Sequence, residues 1–259
     1  VGTVSFEALK NLVEDKRKTG ISLTTLGFGQ GNYNDHLMEQ LADAGNGNYA
    51  YIDTLNEANK VLVSEVSSTL QTIAKDVKIQ IEFNPAMVAE YRLIGYENRA
   101  LRREDFSNDK VDAGDIGAGH TVTALYELTL AGAPGGRIEP LRYAGESRAS
   151  KTNKDEIALL RLRYKLPASD TSKLLEQPIS SADIQAADRM SVDFRFASAV
   201  AGFGQLLRGG KYNENFGYDQ VLALAQNARG KDVFGYRGEF IGLVNLARTL
   251  DAGNSAVRR

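Results

Sequence analysis

The chain has no cysteine, which excludes a disulfide, a thiolate nucleophile and a Cys-ligated zinc site. That absence does not choose a compartment, because disulfides are permitted outside the cytosol without being required there. Histidine is scarce: His36 and His120 lie far apart, and neither has a Ser, Cys or acidic partner at a recognisable catalytic spacing. No apolar run approaches the roughly 20 residues of a membrane-spanning helix. Charge of one sign is lacking too. Lys and Arg total 31 against 33 Asp and Glu, a net charge of −2, so no broad attraction to nucleic acid or membrane is expected. What remains is an ordinary globular composition, 42% hydrophobic and 25% charged over 259 residues. That suits one large domain or two smaller ones. Val1 begins no signal peptide, so any targeting segment is expected upstream of it.

The first segment alternates between helical and extended periods. Phe6, Leu9, Leu12 and Val13 fall on one helical face, with Lys16, Arg17 and Lys18 at the dipole's negative end and Gly20 as the stop. Ile21 to Phe28 reads as a buried strand. Asn34 is placed to cap a second helix carrying Leu37, Met38 and Leu41, which Gly45 ends. Tyr49 to Ile52 is a short strand, and Thr54 with Glu57 forms a capping box for a helix running to Leu70. This order implies a mostly parallel sheet with helical crossovers, and a chain beginning with such a helix is expected to lack the strands before it.

Gly20 to Gly29 resembles the late strand of a von Willebrand factor A (VWA) domain, and Gly45 to Ile52 resembles the strand after it. Longer strings strengthen the likeness: Tyr91 to Arg99, Asp193 to Ala197 and Gly230 to Arg237 resemble an extension that follows the VWA domain in a group of bacterial proteins. The resemblance implies the C-terminal half of a Rossmann-like VWA domain, entered partway through. VWA domains usually hold a divalent cation, Mg or another, through a DxSxS motif and later Thr and Asp residues. No DxSxS occurs here, so no metal ligand, catalytic residue or cofactor-binding residue is assigned to this chain.

Further along, four segments alternate apolar and polar residues: Val77 to Phe83, Val88 to Tyr96, Thr121 to Leu130 and Ile157 to Leu166. Without helices between them, they predict an antiparallel sheet or small sandwich. Residues 131 to 156 read as a long loop. From Ser180 the period is helical again, with stripes through Phe196 to Leu207, Val221 to Ala228 (capped by Asp219) and Phe240 to Leu250. The expected organisation is therefore α/β followed by α+β. It divides into residues 1–73 as the VWA part, 74–179 as the antiparallel β domain and 180–259 as a helical segment.

Several motifs carry weak chemistry. Gly27, Gly29 and Gly31 follow a strand and precede a helix, but Asn32 stands where a dinucleotide fingerprint needs its third glycine. A plain turn is the better reading. Asp109, Asp112 and Asp115 recur every third residue, which does not match an EF-hand, so a solvated loop is expected. Arg161, Arg163 and Lys165 read as a solvated basic face, and Arg195 and Arg237 as structural groups beside aromatic rings. The loop after the late strand lies where open α/β sheets bind ligands, which makes Gln30, Asn32, Asn34 and Asp35 a candidate partner-contact rim.

The resemblance implies a non-enzymatic module that binds protein partners through a metal site upstream of this chain. It also implies a cell-envelope, periplasmic or secreted setting. The missing N-terminal part, or a second copy, is expected to complete the sheet. An alternative is a structural scaffold acting through the extension without metal.

Overall fold

A computed structural model describes residues 5–29, 31, 33–66, 71–95, 100–111, 113–134, 136–138, 155–213 and 215–257. The chain is a mixed α/β protein folded as two compact units, neither a continuous stretch of sequence. One unit comprises Val1–Phe83, Arg99–Val122 and Ala158–Ile179; the other comprises Asn84–Asn98, Thr123–Ile157 and Ser180–Arg259.

The first unit opens with α1 (Phe6–Lys18), whose last turn carries Lys16, Arg17 and Lys18. Strand β1 (Thr25–Phe28) is shorter than its sequence pattern predicts. The residues before it are drawn to the helix that follows instead, with Leu23 donating its amide to Gly45 O at 3.0 Å. That helix, α2 (Asp35–Ala44), buries Leu41 and Ala42. Strand β2 (Tyr49–Ile52) pairs parallel to β1 in the register Thr25–Tyr49 to Phe28–Ile52. Gly47 permits the tight return, since a Cβ there would stand 1.9 Å from Leu23 O. Helix α3 (Leu55–Asn59) begins where Thr54 Oγ1 accepts the Glu57 amide at 3.2 Å. Instead of continuing as an α-helix, the chain widens into a π-turn over Lys60–Ser64. Leu70, the expected helix end, lies outside the described residues.

The same unit carries a four-stranded sheet in the order β5-β3-β7-β8, formed by β3 (Thr72–Phe83), β5 (Gly114–Gly117), β7 (Glu156–Lys165) and β8 (Ser172–Ser180). β3 runs antiparallel to β7, pairing Lys78 with Arg163 and Ile81 with Leu160. The register slips between Lys75 and Lys78, where Asp76 takes the left-handed φ of 53°. This bulge turns the expected burial around. Lys78 is 2% exposed while Ile79 is 44% exposed, so charges rather than isoleucine are sealed at this end of β3.

In the second unit, β4 (Val88–Ile94) and β6 (Leu125–Leu130) form a separate antiparallel pair. The four alternating segments of the sequence therefore divide between two sheets. Three helices follow, α4 (Val192–Leu207), α5 (Tyr218–Asn227) and α6 (Tyr236–Val257). Ala199, Val221, Leu222, Ala225 and Val244 are buried among them. The rings of Phe196 and Phe203 meet Phe240 edge-on, with centroids at 5.3 and 5.5 Å. Burying valines such as Val221 and Val244 stabilises the unit by roughly 1.5–3 kcal/mol each.

The start of α5 departs from expectation. Gly217 precedes the helix, its amide bonded to Gln220 Oε1 at 3.0 Å, and Asp219 pairs with Arg248 at 2.7 Å. Asp232 serves α6, accepting the amides of Arg237 at 3.0 Å and Gly238 at 2.8 Å. Arg237 stacks on Phe196 at 4.7 Å and pairs with Asp193, the structural role its aromatic neighbours suggest. Among the described residues, no helix is long and apolar enough to cross a membrane.

Candidate functional site

The carboxyl end of the β1–β2 pair is where an open parallel sheet offers a ligand site. Thr25 donates its hydroxyl to Met38 O at 2.9 Å, fixing α2 against β1. Tyr33, from the connecting loop, lies across β1. A Cβ on Gly27 would stand 1.9 Å from the Tyr33 hydroxyl oxygen, so glycine at this position makes room for the ring. The hydroxyls of Tyr33 and Tyr49 are 3.0 Å apart, and Tyr49 in turn donates to Asp35. Tyr51 donates to Gly29 O, and its ring centroid is 5.2 Å from that of Tyr33. Burial, and then the bond to Asp35, push the Tyr49 hydroxyl well above the ordinary phenol range. The three tyrosines thus form one network that reaches Gly29 and Asp35.

The predicted rim residues occupy different positions in this arrangement. Asn34 caps α2, its Oδ1 accepting the Leu37 amide at 3.0 Å, and Asp35 holds the Tyr49 hydroxyl. Gln30 and Asn32 lie outside the described residues. Tyr33, Tyr49 and Tyr51 are not among the rim residues expected from the sequence, although Tyr49-Ala50-Tyr51 in a strand sets two hydroxyls on one face. Among the described residues, the donors at this end do not fit a divalent cation. Asp35 is engaged by Tyr49, and among the described residues no three His, Cys, Asp or Glu side chains are placed to hold a metal.

A second charged feature sits at the β3 bulge. Asp76 Oδ2 is 2.9 Å from Lys165 Nζ, and Asp76 Oδ1 is 3.3 Å from Lys78 Nζ without hydrogen-bond geometry. Lys78 donates to Asn108 O at 2.7 Å, and the Asp76 amide donates to Asp115 Oδ1 at 3.1 Å. Arg163 grips Asp109 with Nη2 at 2.9 and 3.0 Å from its two oxygens, and Ser172 donates to Asp109 at 2.6 Å. The Ser172 hydroxyl, opposed by desolvation and aided by Arg163, holds the Asp109 carboxyl below its usual range. The bond to Asp76 raises Lys165, against desolvation. The basic row on β7 is therefore an ion-paired face rather than a solvated one. Asp109 joins it from an exposed turn, as the expected loop would allow, Asp115 lies in β5 and accepts the Asp76 amide, and Asp112 lies outside the described residues. A cleft of about 310 Å³ opens beside the cluster, lined by Arg17, Lys75, Lys110 and Asp170 among others.

Residues 68–250 match the family described as "Uncharacterized protein YfbK, C-terminal". The chain belongs to the YfbK C-terminal family. It is 50% identical over 248 residues to the Escherichia coli (strain K12) protein named "Uncharacterized protein YfbK", an alignment covering 95% of this chain and 42% of that relative. The chain therefore spans less than half the length of the curated relative. Among solved structures, it is similar to the ArnB paralog VWA2 from Sulfolobus acidocaldarius at a TM-score of 0.38 and 14% identity, over 84% of this chain and 50% of that one. The span matched to the YfbK C-terminal family includes the ion-paired cluster from Asp76 to Ser172, whereas the tyrosine network precedes it.

Proposed function

We propose that this YfbK C-terminal chain is a non-enzymatic protein-interaction module of a bacterial VWA-type protein. Its parallel β1–β2 pair corresponds to the late strands of a VWA domain, and its loop after β1 forms part of the partner-contact rim. The observation that carries this reading is the tyrosine network, in which Tyr33, Tyr49 and Tyr51 hold Gly29 and Asp35 at the carboxyl end of the strands. Groups held before binding lose less conformational entropy on docking, so Gly29 and Asp35 suit a recognition surface. The divalent cation of such domains would be held by residues outside this chain. The role of residues here is to shape and orient the rim. Among the described residues β1 and β2 pair only with each other, and the preceding part of a longer protein, or a second copy, would extend this sheet. The sequence resemblance also supports a cell-envelope or secreted setting, which fractionation of the longer protein tests.

The scaffold alternative has its own support in Leu243, Leu246 and Leu250, which lie exposed along one side of α6. Partner binding by the longer protein, measured with and without EDTA, separates the two. Loss on chelation that leaves Leu246→Glu binding normally supports the metal-bridged module. Binding that ignores EDTA and falls with Leu246→Glu overturns it in favour of the scaffold.

A further inference from the structure

Helix α6 buries one side and leaves an apolar stripe on the other. Val244 is sealed in the cluster with Val221 and Ala225 of α5, and Phe240 and Ile241 pack against it. Away from that side, Leu243, Leu246 and Leu250 are 55%, 57% and 60% exposed. Charge does not interrupt the stripe. Between Phe240 and Gly253 the charged residues are Arg248 and Asp251. Arg248 turns to Asp219 of α5 at 2.7 Å, and Asp251 follows Val244 by two helical turns, on the core-facing side. A helix that is apolar on both sides, with its charges turned away from the outer one, has the pattern of a helix with a second neighbour.

Two glycines indicate what that neighbour is. Gly242 and Gly253 are exposed, neither has a positive φ, and a Cβ on either would meet nothing within 4 Å. Nothing within this chain requires glycine there, although glycine weakens a helix relative to alanine. A second helix approaching closely does account for it. Leu243, Leu246, Leu250 and Gly253 are spaced 3, 4 and 3 residues apart, the alternation of a coiled-coil seam. That spacing reads the same in both chain directions. When two α6 helices pair antiparallel about a two-fold axis, Leu246 meets Leu250 of the second copy. Leu243 then enters the gap left by Gly253 of that copy, and each contact occurs twice, as a two-fold interface requires. An unrelated helix would need a matching pattern of its own, whereas a second copy carries it already. We propose that α6 is a self-association face, through which two copies of this chain pair as antiparallel helices. This contact uses a surface other than the β1–β2 edge and does not depend on how the longer protein binds its partners.

Sedimentation equilibrium of the full chain over about 1–500 µM tests this. One helix pair is a small interface, near or below the roughly 1,200 Å² at which stable complexes begin, so a dissociation constant of about 10–100 µM is expected. Leu246→Glu, at an exposed position, is expected to leave the circular dichroism unchanged and weaken the dimer at least about tenfold. Gly253→Leu separates this packing from loose apolar contact. It adds apolar surface, which would strengthen a loose contact, but it fills the gap for Leu243 and is expected to weaken the dimer several-fold. Combining it with Leu243→Ala reopens the gap and is expected to recover most of that loss. Because the chain has no cysteine, disulfide trapping reads the orientation directly. Leu243→Cys mixed with Gly253→Cys is expected to cross-link. Leu243→Cys alone is not, since its two copies lie about 15 Å apart along an antiparallel pair, beyond the roughly 7 Å reach of a disulfide. A chain that stays monomeric to about 500 µM, a dimer that Leu246→Glu or Gly253→Leu does not weaken, or trapping of Leu243→Cys with itself would each overturn the proposal. EDTA-sensitive partner binding by the longer protein can persist through any of those results, so the broader reading is tested separately.

Discussion

Lys165 on β7 holds its ammonium 2.9 Å from Oδ2 of Asp76, the residue at the left-handed bulge of β3. Asp76 also serves Lys78, whose side chain is 1% exposed. Removing the shared carboxylate should therefore cost more than removing one of its partners. Asp76→Asn keeps the shape and tolerates the positive φ, but leaves two ammonium groups without their anion. It is expected to lower the unfolding free energy by about 3 kcal/mol, and Lys165→Met by about 1–2 kcal/mol because Lys78 still faces Asp76. Urea denaturation measures both. Equal losses, or a larger loss for Lys165→Met, would show that Asp76 is not the centre of the cluster.

The same cluster sets two limbs of a pH profile. The Asp109 carboxyl is lowered in the fold, chiefly by Ser172 with help from Arg163, so its stabilisation is complete above the ordinary 3.8 and disappears as pH falls through its lower folded value. Lys165 is raised by Asp76, so its contribution is complete below the ordinary 10.5 and disappears as pH rises through its higher folded value. Thermal unfolding should show Asp109→Asn flattening the acid limb alone and Lys165→Met the alkaline limb alone. An acid limb that Asp109→Asn leaves unchanged would refute the lowered carboxyl.

How far the sequence carried this fold is visible at particular residues. Asn34 and Thr54 were readable as caps because the interaction they make is local, three residues long, and independent of the rest of the chain. The strands at Val77–Phe83 and Ile157–Leu166 were readable from alternation. Their burial was not, because the bulge at Asp76 and the arrival of Asp109 from 54 residues before Arg163 are long-range events with no local period. β5 and β8 were missed for a simpler reason: Gly-Asp-Ile-Gly and Ser-Lys-Leu-Leu-Glu-Gln-Pro-Ile-Ser lack a sustained apolar alternation. At the candidate site, Asn34 and Asp35 lie beside the tyrosine network, Asn34 as a helix cap and Asp35 as the acceptor of the Tyr49 hydroxyl. The tyrosines that organise it come from opposite ends of α2, so proximity in sequence could not join them.

Gly27 offers a direct test of that tyrosine network. Its φ is not positive, so the backbone there accepts alanine, and any cost must come from the collision with Tyr33. Gly27→Ala is expected to cost about 1–3 kcal/mol and to speed amide exchange between Gly29 and Asp35. Once Tyr33→Ala has removed the ring, Gly27→Ala should be nearly neutral. Additive losses in this double-mutant cycle would mean that the ring and Gly27 do not meet in solution.

Asn34 and Asp35 are neighbours with separable duties. Asn34 accepts the Leu37 amide, so Asn34→Ala should destabilise the chain by about 1 kcal/mol while Asn34→Ser or Asn34→Asp restores most of it. Asp35 instead acts on Tyr49, where burial leads and the Asp35 bond comes next in raising the hydroxyl above its ordinary 10.0. Asp35→Ala removes that bond and the carboxylate's charge but leaves burial and Tyr33, so ultraviolet titration should show one tyrosine ionising at lower pH than in the parent chain yet still later than a free phenol. Asn34→Ala should leave that titration unchanged. If Asn34→Ser keeps the stability but abolishes partner binding by the longer protein, then Asn34 contacts the partner as well as the helix, and the cap does not account for its whole role.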